Sequence, residues 1–178
     1  MGQSALSEQL LKSVLESDHA ELPDAGFTAQ DRFLFQTLEE VHTLAFVISR
    51  RFPDPERVIL GLSEIMVNAV EHGNLGISHD EKTELLREHR WQQVVEERVR
   101  MEEHRNKHGR LLFQRSPTEI RVVISDCGAG FDWVPYLEID PSRLMNPNGR
   151  GIALARLISF DELKYEGNGN TVMCRVML

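Results

Sequence analysis

The stretch SEIMVNAVEHGN, residues 63–74, places a carboxylate and an amide one helical turn apart in an otherwise apolar segment. In a helix, Glu64 and Asn68 lie on one stripe, which Glu71 or His72 continues. The neighbouring face is apolar and consists of Leu62, Ile65, Met66 and Ala69. An amide oxygen can hold a cation beside a carboxylate that accepts a proton. Taken alone, this spacing fits either such a site or a solvent-facing polar stripe.

A second group of polar and small residues follows a predicted strand, Glu119 to Ser125. Asp126 comes directly after the strand, and Gly128 and Gly130 follow within a turn. Because a carboxylate accepts hydrogen bonds without donating any, it favours the exocyclic amine of adenine over the carbonyl of guanine. Glycines let the backbone approach a flat ligand closely. The segment predicts an adenine site or, taken alone, a plain turn after a strand.

The third group is a glycine-rich loop, Asn148-Gly149-Arg150-Gly151, before a predicted helix. Unpaired amides at a helix start favour phosphate, and an arginine adds a charge-assisted contact. A simple junction between a loop and a helix is the alternative. The chain has no GxxxxGK[ST] motif, and the two glycines after Asp126 lack the third glycine of a dinucleotide-binding fingerprint.

The elements that position these groups follow from hydrophobic spacing and turn residues. Helices come first along the chain and hairpin-linked strands later, which predicts an α+β domain with helices layered on one face of a sheet. The predicted elements are helices from Asp31 to Arg51 and from Glu56 to His72, strands from Arg110 to Gln114 and from Glu119 to Ser125, a helix from Ile152 to Ser159, and strands from Glu162 to Tyr165 and from Thr171 to Val176.

Two segments lie outside this pattern. Residues 78–109, here called the insertion, are charged at most positions and predict a solvated helical insertion or, as the alternative, a helix that docks a partner. Residues 1–30 contain a short amphipathic stretch, Leu6 to Leu15, and predict a loosely attached leader. The domain itself is predicted to span residues 31–178.

Composition narrows the class of protein. A chain of 178 residues with 41% hydrophobic content suits one domain with a sizeable core. The net charge of −8 argues against a general nucleic-acid or anionic-membrane surface. Cys127 and Cys174 form no CxxC pattern and no secretory signal is recognisable, so we expect a cytoplasmic protein. No apolar run approaches the ~20 residues of a membrane-spanning helix.

In their order along the chain, ExxxNAVEHG, DCGAGF and NGRGIAL resemble the N, G1 and G2 boxes of one ATPase superfamily. That superfamily includes gyrase, heat-shock chaperones, histidine kinases and MutL. The resemblance covers about residues 31–178 apart from the insertion, and it is closest to the anti-sigma-factor serine/threonine kinases, whose closing segment resembles GRGIALARLISFDELKYEGNGNTV. It implies a Bergerat-type ATP-binding fold, a two-layer sandwich with helices on one face of a mixed, mainly antiparallel sheet.

The resemblance also implies roles for individual residues, with ATP and Mg²⁺ as cofactors. Glu64 would act as the general base toward an incoming hydroxyl, and Asn68 would coordinate the Mg²⁺ that bridges the ATP phosphates. The implied nucleotide contacts are Asp126 to the adenine amine, Gly128 and Gly130 beside it, Gly149, Arg150 and Gly151 along the phosphates, and Thr171 behind Asp126.

The leading hypothesis is therefore an ATP-dependent serine/threonine kinase that phosphorylates a small anti-anti-sigma-like protein in a partner-switching pathway. The resemblance leaves open whether a sigma factor is a further partner. It also suggests that the protein forms a homodimer. One alternative is an ATP-binding sensor or docking module that transfers no phosphate to protein. A histidine-kinase catalytic fragment is the other, although the chain lacks a phosphoacceptor His followed by an acidic residue and the usual Pro.

Overall fold

The computed structural model of the protein describes residues 26–138 and 149–178. The greater part of the predicted leader, including its amphipathic stretch, lies outside the described residues. Asn148 of the glycine-rich loop also lies outside them. Within the described ranges, no helix combines the length and the apolar character needed to cross a membrane.

One face of the domain is a five-stranded sheet in the order β1-β2-β3-β5-β4. Every neighbouring pair of these described strands is antiparallel. The strands are β1 (Ala29–Phe35), β2 (Gly109–Arg115), β3 (Glu119–Ser125), β4 (Glu162–Glu166) and β5 (Thr171–Met177). The predicted hairpin of β2 and β3 and the closing pair of β4 and β5 are confirmed.

Two helices carry most of the second layer. Helix α1 (Leu38–Ser49) begins at a capping box. The Thr37 side chain accepts from the backbone N–H of Glu40, and the Glu40 side chain accepts from the backbone N–H of Thr37. Helix α2 (Pro55–Asn68) has Asp54 as its N-cap and continues as a π-helical turn, Ala69–Asn74. The predicted helix from Glu56 to His72 is therefore confirmed.

Within the described residues, four shorter helical segments follow α2. The insertion contains α3 (His79–Arg87) and α4 (Trp91–Val99). The two helices are joined by a turn at His89, whose φ of 56° is a left-handed conformation. A 3-10 turn, Val134–Tyr136, precedes the residues that are not described, and α5 (Gly151–Leu154) continues as a π-helical turn, Ala155–Ser159.

The core lies between the sheet and the helices. Alternate residues of β3, namely Ile120, Val122 and Ile124, are buried on the face that packs against the helical layer. The α2 side chains predicted to be apolar and inward-facing are buried as well, including Leu62 and Met66. The predicted α+β sandwich, with helices on one face of the sheet, is confirmed.

The predicted helix from Asp31 to Arg51 is wrong in its first part. Asp31 to Phe35 belong to β1, where Phe33 and Phe35 are buried and alternate with more exposed neighbours. This segment pairs with β2 along its whole length, with Phe33 opposite Leu111. The apolar residues fit helical spacing by coincidence, and the pairing with a distant strand decides the conformation. The helix begins only after Thr37.

Candidate functional site

A cavity of about 850 Å³ opens between the end of α2, the ends of β3 and β5, the glycine-rich loop and the insertion. Most residues that the sequence suggests for the site lie in its lining: Glu64, Asn68, Asp126, Gly130, Gly149, Arg150 and Gly151. Gly128 and Thr171 are beside this lining, next to Asp126 and Val172 respectively, and are not among the described residues that form it. The fold thus brings three distant motifs to one cavity.

Helix α2 presents Glu64 and Asn68 to the cavity one turn apart, as its spacing predicts. The Glu64 carboxylate lies directly against Gly151, because a Cβ added at Gly151 would overlap Glu64 Oε2. Any larger residue at position 151 would displace the carboxylate. The arrangement places a potential proton acceptor against the loop that the sequence suggests for phosphate.

Asp126 lies at the end of β3, where its backbone N–H donates to Asn170 O at 3.0 Å. Its Oδ1 accepts from Gly128 N at 2.7 Å. Burial raises the pKa of the Asp126 carboxyl, and the hydrogen bond from Gly128 opposes that shift. A Cβ added at Gly73 would overlap the Asp126 carboxylate, so Gly73 makes room for it. The carboxylate is therefore held in the cavity as a fixed acceptor.

The turn after Asp126 is fixed by the loop between β4 and β5. Gly130 has a φ of 82° and packs on the Asn168 carbonyl, where a Cβ would clash. Asn168 Nδ2 donates to Ala129 O at 2.8 Å. Thr171 Oγ1 donates to Asn170 Oδ1 at 3.4 Å. Val172, rather than Thr171, lies in the cavity lining.

The glycine-rich loop, residues 149–151, is here called the phosphate loop. Gly149 has a φ of 87°, which favours glycine. Arg150 lies in the cavity lining and is the N-cap of α5, whose first residue is Gly151. The loop therefore brings a cationic side chain and glycine backbone to the side of the cavity that also carries Glu64.

The insertion contributes side chains to the cavity that the sequence motifs do not indicate: His79, Lys82, Leu86 and Trp91. Two of these side chains are held by Glu71, which is completely buried and accepts from Lys82 Nζ at 2.5 Å and from Trp91 Nε1. The polar spacing of α2 leaves open whether Glu71 or His72 continues the stripe. His72 lines the cavity, while Glu71 binds the insertion.

His72 is itself constrained by the end of the π-helical turn. Its Nδ1 donates to the Ile77 carbonyl at 2.5 Å. Burial lowers the pKa of the imidazole, and the hydrogen bond to Ile77 opposes that effect. His72 therefore lines the cavity chiefly as a neutral ring.

An aromatic cluster borders the cavity near the turn after Asp126. Trp133 stacks on Tyr165 with ring centroids 5.8 Å apart, and Phe131 meets Tyr165 edge-on at 5.3 Å. The ring centroids of Tyr136 and Phe131 are also 5.8 Å apart. Phe131, Tyr136 and Tyr165 lie in the cavity lining and give that side of it an apolar surface suited to a flat ring.

The comparison with protein-family models matches residues 36–176 to the histidine kinase-like ATPase domain. This range covers most of the chain and includes every predicted site residue. The comparison with curated proteins finds no significant match. The family binds ATP and carries out kinase-like or ATPase chemistry, which agrees with a cavity that joins two half-buried carboxylates, an amide and a glycine-rich loop. The chain belongs to the histidine kinase-like ATPase domain family.

Proposed function

We propose that the protein is an ATP- and Mg²⁺-dependent serine/threonine kinase of the anti-sigma-factor type. The observation that carries this proposal is the position of the Glu64 carboxylate, directly against Gly151 of the phosphate loop. Asn68 lies one turn further along α2 and faces the same cavity. A carboxylate at this place can meet a hydroxyl that approaches the terminal phosphate of ATP.

The proposed reaction is an in-line phosphoryl transfer. The acceptor hydroxyl oxygen forms a bond to the γ-phosphorus while the bond to the bridging oxygen breaks, and ADP leaves with that electron pair. Glu64 accepts the proton of the hydroxyl. Arg150 supplies positive charge near the transferring group. Positioning and charge neutralisation account for most of the rate in such reactions.

Magnesium fits the donor set that the cavity offers. Within residues 26–138 and 149–178, no three His, Cys, Asp or Glu side chains form a metal site. Mg²⁺ retains several waters and needs few protein ligands, so Asn68 Oδ1 together with phosphate oxygens is a sufficient set. When bound, the ion would neutralise charge on the phosphates.

The proposed substrate is a serine or threonine on a small anti-anti-sigma-like regulatory protein in the cytoplasm. Phosphorylation adds about −1.5 to −2 charges at the modified residue. This kinase already has a net charge of −8, so the modified partner would be repelled. Release on phosphorylation is the basis of a partner-switching pathway. The same proposal extends to a sigma factor as a second binding partner. It also extends to a kinase that forms a homodimer.

The test is transfer of γ-labelled phosphate from Mg-ATP to small proteins in a lysate of the source cells. We compare the wild type with Glu64→Gln and with Glu56→Gln, which makes the same change on the exposed face near the start of α2. We expect an acid-stable phosphoserine or phosphothreonine band that Glu64→Gln lowers by ~100-fold or more and Glu56→Gln leaves unchanged. An unchanged band in the Glu64 variant would refute the proposed role of Glu64.

A second candidate function is an ATP-binding sensor that docks a partner without modifying it. The observation that favours it is the contribution of the insertion to the cavity, because ligand binding could then alter the outer surface of α3 and α4. Measurable ATP binding without protein labelling would support the sensor. Acid-labile, alkali-stable label on a histidine would instead indicate a histidine-kinase fragment.

A further inference from the structure

We propose that His79 of the insertion is a positioning residue of the ATP site, which holds the phosphate loop through Gly149. The inference rests on the ATP binding that is part of the proposed function, and it does not require phosphoryl transfer. It assigns to the insertion a role in binding the triphosphate. The three sequence motifs of the family do not include this residue.

The first step of the argument is that α3 is firmly attached to the domain. The buried Glu71 carboxylate holds Lys82 of α3 and Trp91 of α4. Arg98 of α4 donates to the Leu75 carbonyl at 3.2 Å and forms an ion pair with Glu81 of α3. These contacts involve both helices of the insertion and the end of the π-helical turn. The start of α3 is therefore fixed relative to α2.

The second step is the position of His79 at that start. Ser78 caps α3, because its Oγ accepts from Glu81 N at 3.1 Å. His79 is the next residue and lies in the cavity lining. Its ring centroid is 6.3 Å from that of Tyr136, and its Nδ1 is 3.9 Å from Asp80 Oδ1. The other ring nitrogen, Nε2, is buried.

The third step is the contact between His79 and the phosphate loop. A Cβ added at Gly149 would lie 2.6 Å from His79 Nε2, so the imidazole packs directly on the Gly149 backbone. Gly149 has the left-handed φ of 87°, which orients the peptide groups that follow it. Because the ring fills the space beside this glycine, it restricts the conformations that the loop can adopt.

The two ends of a bound ATP should therefore depend on different residues of the protein. Asp126, the proposed adenine acceptor, is held by Gly128 and by the turn between β4 and β5. Residue 79 has no part in those contacts. His79 approaches the apolar side of the cavity at the Tyr136 ring, with centroids 6.3 Å apart. Loss of the His79 ring should therefore weaken the binding of the triphosphate much more than the binding of adenosine.

The test compares His79→Asn with His89→Asn by calorimetric titration of Mg-ATP and of adenosine. His89 is an exposed residue of the insertion, and asparagine tolerates its positive φ. We expect His79→Asn to weaken Mg-ATP binding about tenfold and adenosine binding less than about twofold. The His89 variant should bind both ligands like the wild type. His79→Gln, whose amide reaches about as far as Nε2, should restore affinity for Mg-ATP to within about threefold of the wild type.

Three results would overturn the inference. Unchanged Mg-ATP affinity in His79→Asn would show that the ring does not position the loop. An equal loss for Mg-ATP and adenosine would show a general structural role. Failure of the wild type to bind either ligand would remove the basis of both proposals. By contrast, if the wild type binds Mg-ATP but labels no protein, the proposed kinase activity is refuted. These titrations then still decide the role of His79.

Discussion

The Glu71 carboxylate, which is 0% exposed, accepts a hydrogen bond from Lys82 Nζ at 2.5 Å. Lys82 is largely buried too, with 15% of its side chain exposed. A buried charge is costly unless it is paired and hydrogen-bonded. The pair joins the π-helical turn at the end of α2 to the insertion, so the insertion and the rest of the domain should depend on each other for stability.

Replacing Lys82 by methionine keeps much of the side-chain length and removes the charge. We expect Lys82→Met to lower the free energy of unfolding by about 3–5 kcal/mol, because it leaves Glu71 buried without its cation. Urea unfolding followed by circular dichroism measures the change. Lys164→Met, on an exposed position of β4, is the matched control and should shift the free energy by less than about 0.5 kcal/mol.

The double variant Glu71→Gln/Lys82→Met separates pairing from packing. It removes both charges, so we expect it to recover most of the stability that Lys82→Met loses. A double variant as unstable as Lys82→Met would contradict the assignment of the loss to an unpaired buried carboxylate.

The second prediction concerns His72, whose pKa burial lowers from its ordinary value of 6.5. Below that value the unfolded chain binds a proton that the folded protein does not. The free energy of unfolding should therefore fall as the pH decreases from about 7 to 5, by up to about 1.4 kcal/mol per pH unit. Urea unfolding at pH 7, 6 and 5 should show a shallower decline in His72→Gln than in the wild type.

His108→Gln provides the control for this experiment, because His108 lies on the insertion and outside the cavity lining among the described residues. Its unfolding curves should depend on pH as those of the wild type do. If His72→Gln retains the full pH dependence, the loss of stability on acidification arises elsewhere.

The third prediction concerns Asp126, the proposed adenine acceptor. Burial raises the pKa of the Asp126 carboxyl, so it becomes protonated at a higher pH than an ordinary aspartate does. The protonated group donates a hydrogen bond and no longer suits the adenine amine. We expect adenosine affinity to be constant above that raised pKa and to fall about tenfold per pH unit below it. Fluorescence of Trp91, which lines the cavity, is a convenient signal for the titration.

Asp126→Asn should bind adenosine weakly, without this pH dependence. The variant should also be more stable than the wild type at neutral pH, because it removes a charge whose burial is unfavourable. That advantage should shrink as the pH falls, since the wild-type carboxyl then becomes neutral in the folded protein. Equal pH dependence of adenosine binding in both proteins would exclude Asp126 as the titrating acceptor.

The sequence predicts the parts of the site that depend on local geometry. Glu64 and Asn68 face one cavity because helical spacing alone fixes their relation. Asp126 is correctly placed after a strand because the alternation of Ile120, Val122 and Ile124 defines β3. The two hairpins likewise join neighbouring segments through short turns. In each case, residues close in the chain determine the result.

The parts that the sequence does not predict depend on contacts between distant segments. Phe33 and Phe35 become strand residues only because β1 pairs with β2. The contact of His79 with Gly149 joins an insertion to a loop far along the chain. A buried Glu71 is equally unexpected from sequence, since a charge in a helix usually indicates solvent. Its burial is explained by the partners Lys82 and Trp91, which hydrogen-bond to the two carboxylate oxygens.

The pairing of β1 with β2 has a consequence for how the chain folds. Phe33 pairs with Leu111, so this pairing closes a long loop that contains α1, α2 and the whole insertion. The entropy of loop closure grows only logarithmically, at about 0.6 kcal/mol for each doubling of length. An insertion of about thirty residues into such a loop therefore lowers the free energy of unfolding only slightly. The β2–β3 and β4–β5 hairpins join neighbouring segments and can form early. We expect β1 to pair with β2 more slowly, because contacts between distant segments form slowly.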